Sequence, residues 1–140
     1  MKHALIIIST LLLSLTCNHA LAQSDDLVNV CALGIGNATY LKDFKVKLPA
    51  NTTTPQKLSV ILTKGMIYKF VVCNAEGYEG KAVIQLSDAG NTLVSNLKAD
   101  GSFVEAVGFS CQKTGMYNIF CSFKNNKEGA AVIIMSYITK

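Results

Sequence analysis

Leu58-Ser59-Val60-Ile61-Leu62-Thr63-Lys64-Gly65-Met66-Ile67-Tyr68-Lys69-Phe70-Val71-Val72-Cys73-Asn74 carries the period of two strands and turn residues between them. Leu58, Val60 and Leu62 alternate with Ser59 and Ile61, the period of a strand with one buried face. Thr63-Lys64-Gly65 is turn chemistry, and after it Tyr68, Phe70 and Val72 share one face. Two alternating runs joined by a three-residue turn predict a β-hairpin.

The same grammar extends in both directions. Upstream, Phe44, Val46 and Leu48 alternate with Lys45 and Lys47, and Pro49 to Pro55 is a loop. Downstream, Ala82, Ile84 and Leu86 face one way, and Asp88-Ala89-Gly90-Asn91 turns the chain into Thr92 to Leu97, a second predicted hairpin. After the turn Ala99-Asp100-Gly101-Ser102, residues Phe103 to Cys111 run to Lys113-Thr114-Gly115 and on into Met116 to Phe123, a third. The last run, Ala130 to Ile138, is apolar almost throughout and reads as a central strand. Short strands at this spacing predict an all-β fold of about eight strands, an antiparallel β-sandwich. Thr63 to Phe70 and Lys113 to Phe120 echo each other, each a turn glycine followed by an aromatic strand. The reading gives each glycine a positive φ and packs the aromatics inward.

From Leu58 to Ile138, the order Leu-x-Val-x-Leu, Thr-Lys-Gly, Tyr-x-Phe, Leu-Ser-Asp-x-Gly-Asn, Lys-Thr-Gly-x-Tyr and a final apolar strand resembles the bacterial pre-peptidase C-terminal domain. The resemblance covers roughly residues 58–138. It implies a jelly-roll-like sandwich acting as an accessory or binding module, here without a peptidase domain; the segment Cys31 to Leu48 has no counterpart in it.

The first 22 residues carry a different pattern. Met1-Lys2-His3 is a basic start, Ala4 to Leu15 an apolar run, and Ala20-Leu21-Ala22 a small-x-small cleavage site, which together read as a secretory signal peptide. The apolar run is about a dozen residues, short of the roughly 20 that span a bilayer, so no stable membrane span is expected. Cys17 raises lipidation, but Ser14 and Thr16 fit that signal poorly. The expected organisation is therefore signal peptide 1–22 and one β-sandwich domain 23–140, secreted or periplasmic, with Gln23 as the new N-terminus.

Composition excludes more than it assigns. The thirteen basic residues are all lysine, scattered singly against nine acidic ones, and without arginine forks or a clustered basic face no nucleic acid is expected as partner. Both histidines, His3 and His19, fall in the signal, which removes the commonest general base and the histidine-containing triads and zinc sites. A hydrolase would be left with a carboxylate pair, a Ser-Lys dyad or a lone cysteine, with Asp43 and Glu105 the carboxylates to substitute first. Glu76, Glu79, Asp88 and Asp100 lie in oxygen-rich turns that could hold calcium, yet none has the spacing of a dedicated loop. Gly34-Ile35-Gly36 lacks the third glycine and the helix of a phosphate cradle. No catalytic residue, metal or cofactor is assigned.

Cys31, Cys73, Cys111 and Cys121 remain after the signal, none in a C-x-x-C pair, and are read either as buried thiols or as one or two bridges. With Lys113 to Gly115 as a hairpin loop, Cys111 would lie opposite Tyr117 and Cys121 opposite Val107. That four-residue offset, about 13 Å, is too far for a bond between them. The first choice for a bridge is Cys73 with Cys111, since both end strands of the echoing hairpins. The function expected is a non-catalytic module that binds a protein, glycan or envelope component, the alternative being a structural or assembly subunit of an envelope complex with Val132 to Ile138 available for strand exchange.

Overall fold

A computed structural model of the chain describes residues 19–139. The basic start and apolar run of the expected signal, with Cys17, lie outside the described residues, and the expected boundary after Ala22 falls in the first helix. That helix, α1 (His19–Ala32), is followed by a 3₁₀ turn at Leu33–Ile35. Eight strands follow: β1 (Thr39–Leu48), β2 (Gln56–Leu62), β3 (Ile67–Asn74), β4 (Ala82–Asp88), β5 (Asn91–Ser95), β6 (Ala106–Ser110), β7 (Gly115–Phe123) and β8 (Gly129–Ile138).

The strands form two antiparallel four-stranded sheets, ordered β1-β8-β3-β6 and β2-β7-β4-β5. Every connection except β4 to β5 crosses from one sheet to the other, which is the winding of a jelly roll. Two of the three expected hairpins are therefore corrected. β2 pairs with β7, Leu58 opposite Ile119, while β3 pairs with β8 and β6. β6 likewise pairs with β3 and not with β7. Alternation states which face of a strand is buried, but the neighbour is chosen by the whole sandwich. The hairpin that stands is β4–β5, whose corner residues Ala89 and Gly90 both have positive φ, 47° and 84°, as a type I′ turn requires.

Between the sheets, Val46, Leu62, Phe70, Leu86, Ile119 and Ile133 are all essentially dry and belong to one core cluster. β8 lies between β1 and β3, as its apolar run predicted, and is buried on both faces because α1 covers the outside. Leu27, Val28, Cys31, Ala32 and Ile35 recur at helical spacing and pack on Val71, Val132 and Ile134. The start of the domain is thus an amphipathic helix whose period-3.6 stripe is visible in residues 27–35.

The cysteines follow from the same parity. Tyr68, Phe70 and Val72 point into the sandwich, so Cys73 points outward, under α1, and is bonded to Cys31 with their Cα atoms 5.8 Å apart. The expected Cys73–Cys111 bridge is corrected: Cys111 sits in the central core, on the opposite face of the sheet, and is a free thiol, as is Cys121. Cys111 and Cys121 are not bonded to each other, and the register expected between their strands is corrected. Val107 lies opposite Phe70, and Cys121 lies between Gln56 and Ile84.

Candidate functional site

The winding gathers the β2–β3, β4–β5 and β6–β7 connections at one end of the sandwich. There the two echoing segments meet. The main-chain N–H of Lys64 donates to Thr114 Oγ1 at 2.8 Å, Gly65 N–H to the Cys111 carbonyl at 2.9 Å, and Cys111 N–H to the Met66 carbonyl at 2.9 Å. Two buried phenols brace the pair from inside: the Tyr68 hydroxyl accepts from Thr63 N–H at 2.9 Å, and the Tyr117 hydroxyl donates to the Lys113 carbonyl at 2.6 Å. The Phe109 ring packs edge-on against Tyr117 at 5.7 Å between centroids. Gly65, at φ 87°, makes the tight turn; Gly115 does not have a positive φ, and that part of the echo is corrected, since Gly115 already lies in β7.

The outcome is a fixed pair of loops that holds Lys64 and Lys113 in solvent, beside Ile61 and Met116, which lie opposite each other in the β2–β7 ladder and are 71% and 65% exposed. Preorganised loops of this kind bind without a large ordering cost. The Cys111 thiol beside the Tyr117 hydroxyl, together with burial, pushes that phenol up to about 12, so it remains a hydrogen-bond donor at physiological pH. Burial pushes the Cys121 thiol up to about 12 as well, which keeps it neutral and unreactive.

The acidic residues singled out in the sequence are not brought together. Asp88 is at the lysine-bearing end, whereas Glu76 and Glu79 in the β3–β4 loop and Asp100 in the β5–β6 loop are at the other. Glu79 is 3.6 Å from the Lys127 ammonium, and Asp100 accepts from the N–H and hydroxyl of Ser102, a local turn contact. Among the described residues no three His, Cys, Asp or Glu side chains converge. Asp43, on β1, accepts from the Tyr40 hydroxyl, and Glu105 precedes β6; these strands are the two edges of one sheet, about 14 Å apart at the usual strand spacing. A glycosidase pair needs about 5–9.5 Å. Gly34 and Ile35 offer carbonyls to the Lys69 ammonium, so that turn cradles a cation of the chain itself.

At the opposite end three of the four remaining connections are knitted by Asn51 N–H to the Asn126 carbonyl, Gly80 N–H to the Glu128 carbonyl and Lys124 N–H to the Lys81 carbonyl, and the Lys124 ammonium donates to the Gly101 carbonyl of the fourth at 3.3 Å. Positive and negative side chains are mixed there. Sequence reading found the echo but not its use, because the hairpin reading kept the two turns apart.

Fold and site together define a two-sheet jelly roll with a rigid lysine-bearing end. The sequence matches no protein-family model and no curated protein. Among solved structures the chain is similar to Aeromonas hydrophila PliG, a periplasmic lysozyme inhibitor of g-type lysozyme, with a TM-score of 0.50 and 10% identity over 71% of this chain and 88% of that one. The likeness is one of fold. The sandwich implied by the pre-peptidase resemblance is present, and no family model supports membership of that family. No helix among the described residues is long and apolar enough to cross a membrane.

Proposed function

We propose that the chain is a non-catalytic, extracytoplasmic β-sandwich module that binds a protein partner through the Lys64 and Lys113 loops, and that a lysozyme-type glycosidase is the first partner to test. The observation that carries this reading is the pair of loops locked to each other by main-chain hydrogen bonds and braced by two buried tyrosines. These bonds satisfy the two buried hydroxyls and at the same time fix the solvent-facing tip, the preorganisation that recognition of a defined surface uses. Support also comes from the export signal of residues 1–22, from the Cys31–Cys73 disulfide, a bond that persists in oxidising compartments, and from the fold likeness to PliG. Glycoside hydrolases carry paired carboxylates in their clefts, a charge complement for two fixed lysines.

A protein partner is favoured over a glycan because the exposed aromatics form no platform: Tyr40 and Phe103 lie at opposite ends of the sandwich. The assembly-subunit reading loses its device. β8 is laddered to β1 on one side and β3 on the other, and exchanging it would break both.

Titration calorimetry of residues 23–140, disulfide-bonded, with a g-type lysozyme tests the reading. Saturable one-to-one binding that Lys64→Glu with Lys113→Glu weakens at least tenfold supports it. Lysozyme binding indifferent to both charges, or turnover of a substrate by the protein itself, overturns it.

A further inference from the structure

The outer face of the sheet β2-β7-β4-β5 is short of charge. Its outward positions are Lys57, Ser59 and Ile61 on β2, Met116, Asn118, Phe120 and Ser122 on β7, and Val83, Gln85 and Ser87 on β4, of which Val83 and Ser87 are buried; β5 adds no ionisable residue, and Lys57 is the one ionisable side chain among these strand positions. Asp88, at the end of β4, shares the parity of Leu86 and points inward, where its charge acts on Tyr117. The other sheet is treated differently: β1 turns Asp43, Lys45 and Lys47 outward, and the apolar remainder lies under α1. Both are ordinary solutions for an outer face. An uncovered face with Ile61 and Met116 opposite each other, and Ser59 hydrogen-bonded to Asn118 at 2.9 Å immediately beside them, is neither.

Ile61 and Met116 form the next-to-last pair of the β2–β7 ladder, directly under the lysine loops, and a charge-depleted patch with methionine beside charged side chains is the anatomy of a protein interface. The charges here are cationic: Lys57 on the face, Lys64 and Lys113 on the loops above it. A second copy of the chain packed face to face would set these lysines against one another with no carboxylate of the face to offset them. We propose, building on the protein-binding reading, that this outer face seats a protein partner whose contact surface has an apolar centre ringed by carboxylates, and that the two lysine loops clamp its edge.

The test is amide NMR of the disulfide-bonded protein titrated with two synthetic peptides that share one apolar core, flanked by glutamates in one and by lysines in the other. The glutamate peptide is expected to shift the Ser59, Ile61, Met116 and Asn118 amides and to bind at least tenfold tighter than its counterpart. Lys64→Glu with Lys113→Glu should reverse that preference. Ile61→Glu with Met116→Glu should abolish the shifts while the protein stays folded by circular dichroism, with only a small loss of melting temperature from the two carboxylates facing each other across the ladder. Equal affinity for the two peptides, shifts confined to the opposite end, or no shifts would overturn the proposal, as would concentration-dependent shifts of the same amides without peptide, which would assign the face to a second copy. If lysozyme fails to bind but the peptides behave as expected, only the choice of partner falls. If lysozyme binds and Ile61→Glu with Met116→Glu leaves its affinity unchanged, this face falls and the loop reading stands.

Discussion

Replacing Cys31 and Cys73 together by alanine removes the covalent link between α1 and the sheet it covers. The bridge closes a loop of 42 residues. Loop-closure entropy for that length amounts to about 4 kcal/mol at 25 °C, between the values of about 3 and 4.7 for loops of 15 and 100 residues. For a domain with the usual stability of about 5–15 kcal/mol that is a large fraction of the total. At about 4 °C per kcal/mol, the melting temperature should fall by about 15 °C. Urea titration followed by far-ultraviolet circular dichroism measures the loss, and amide exchange should show α1 and the outward residues Val71, Val132 and Ile134 opening first. A loss below about 1 kcal/mol, or peptide mapping that recovers Cys73 linked to Cys111, would refute the reasoning.

Three further outcomes follow from single side chains. Asn96 is 2% exposed and continues the ladder beyond β5, its Oδ1 accepting from Ile84 N–H at 2.8 Å and its Nδ2 donating to the Ala82 carbonyl at 2.9 Å. Asn96→Ala strands both groups and should cost about 3 kcal/mol in urea unfolding. A Cβ on Gly129 would overlap the buried Phe123 ring, so Gly129→Ala should cost about 2 kcal/mol or more, checked by thermal melting, with partial recovery when Phe123 is also made Leu. The Tyr117 phenol titrates near 12 when folded against about 10 when unfolded, so its contribution is fully present below pH 10 and is lost as pH rises from 10 through 12. The urea midpoint should fall over that window in the wild type and fall less in Tyr117→Phe.

Much of the fold was legible because a sandwich strand writes its buried face into alternate residues. Phe44, Val46 and Leu48, then Tyr117, Ile119, Cys121 and Phe123, name their inner faces directly, and the near-continuous apolar run of β8, interrupted by Ser136, announces a strand covered on both sides. Adjacency was not legible. The three-residue turns at Thr63–Gly65 and Lys113–Gly115 fit a hairpin as well as a crossing, and the crossing is favoured only once β7 fills the place beside β2. The helix was legible in principle, since Leu27, Val28, Cys31, Ala32 and Ile35 fall on one stripe. Its presence is what makes Cys31, and not Cys111, the partner of the outward-facing Cys73. The loop site was half legible: the echo of Thr63 to Phe70 in Lys113 to Phe120 is in the residues, whereas the hydrogen bonds that join the two turns depend on the sheet-to-sheet winding.

The most direct test of the binding account is amide hydrogen exchange of the disulfide-bonded protein alone and with a g-type lysozyme in excess. Slowed exchange confined to residues 57–66 and 110–118 is expected, with the loops at 76–81 and 124–128 unchanged. Protection centred on those opposite loops, or none anywhere, would contradict it.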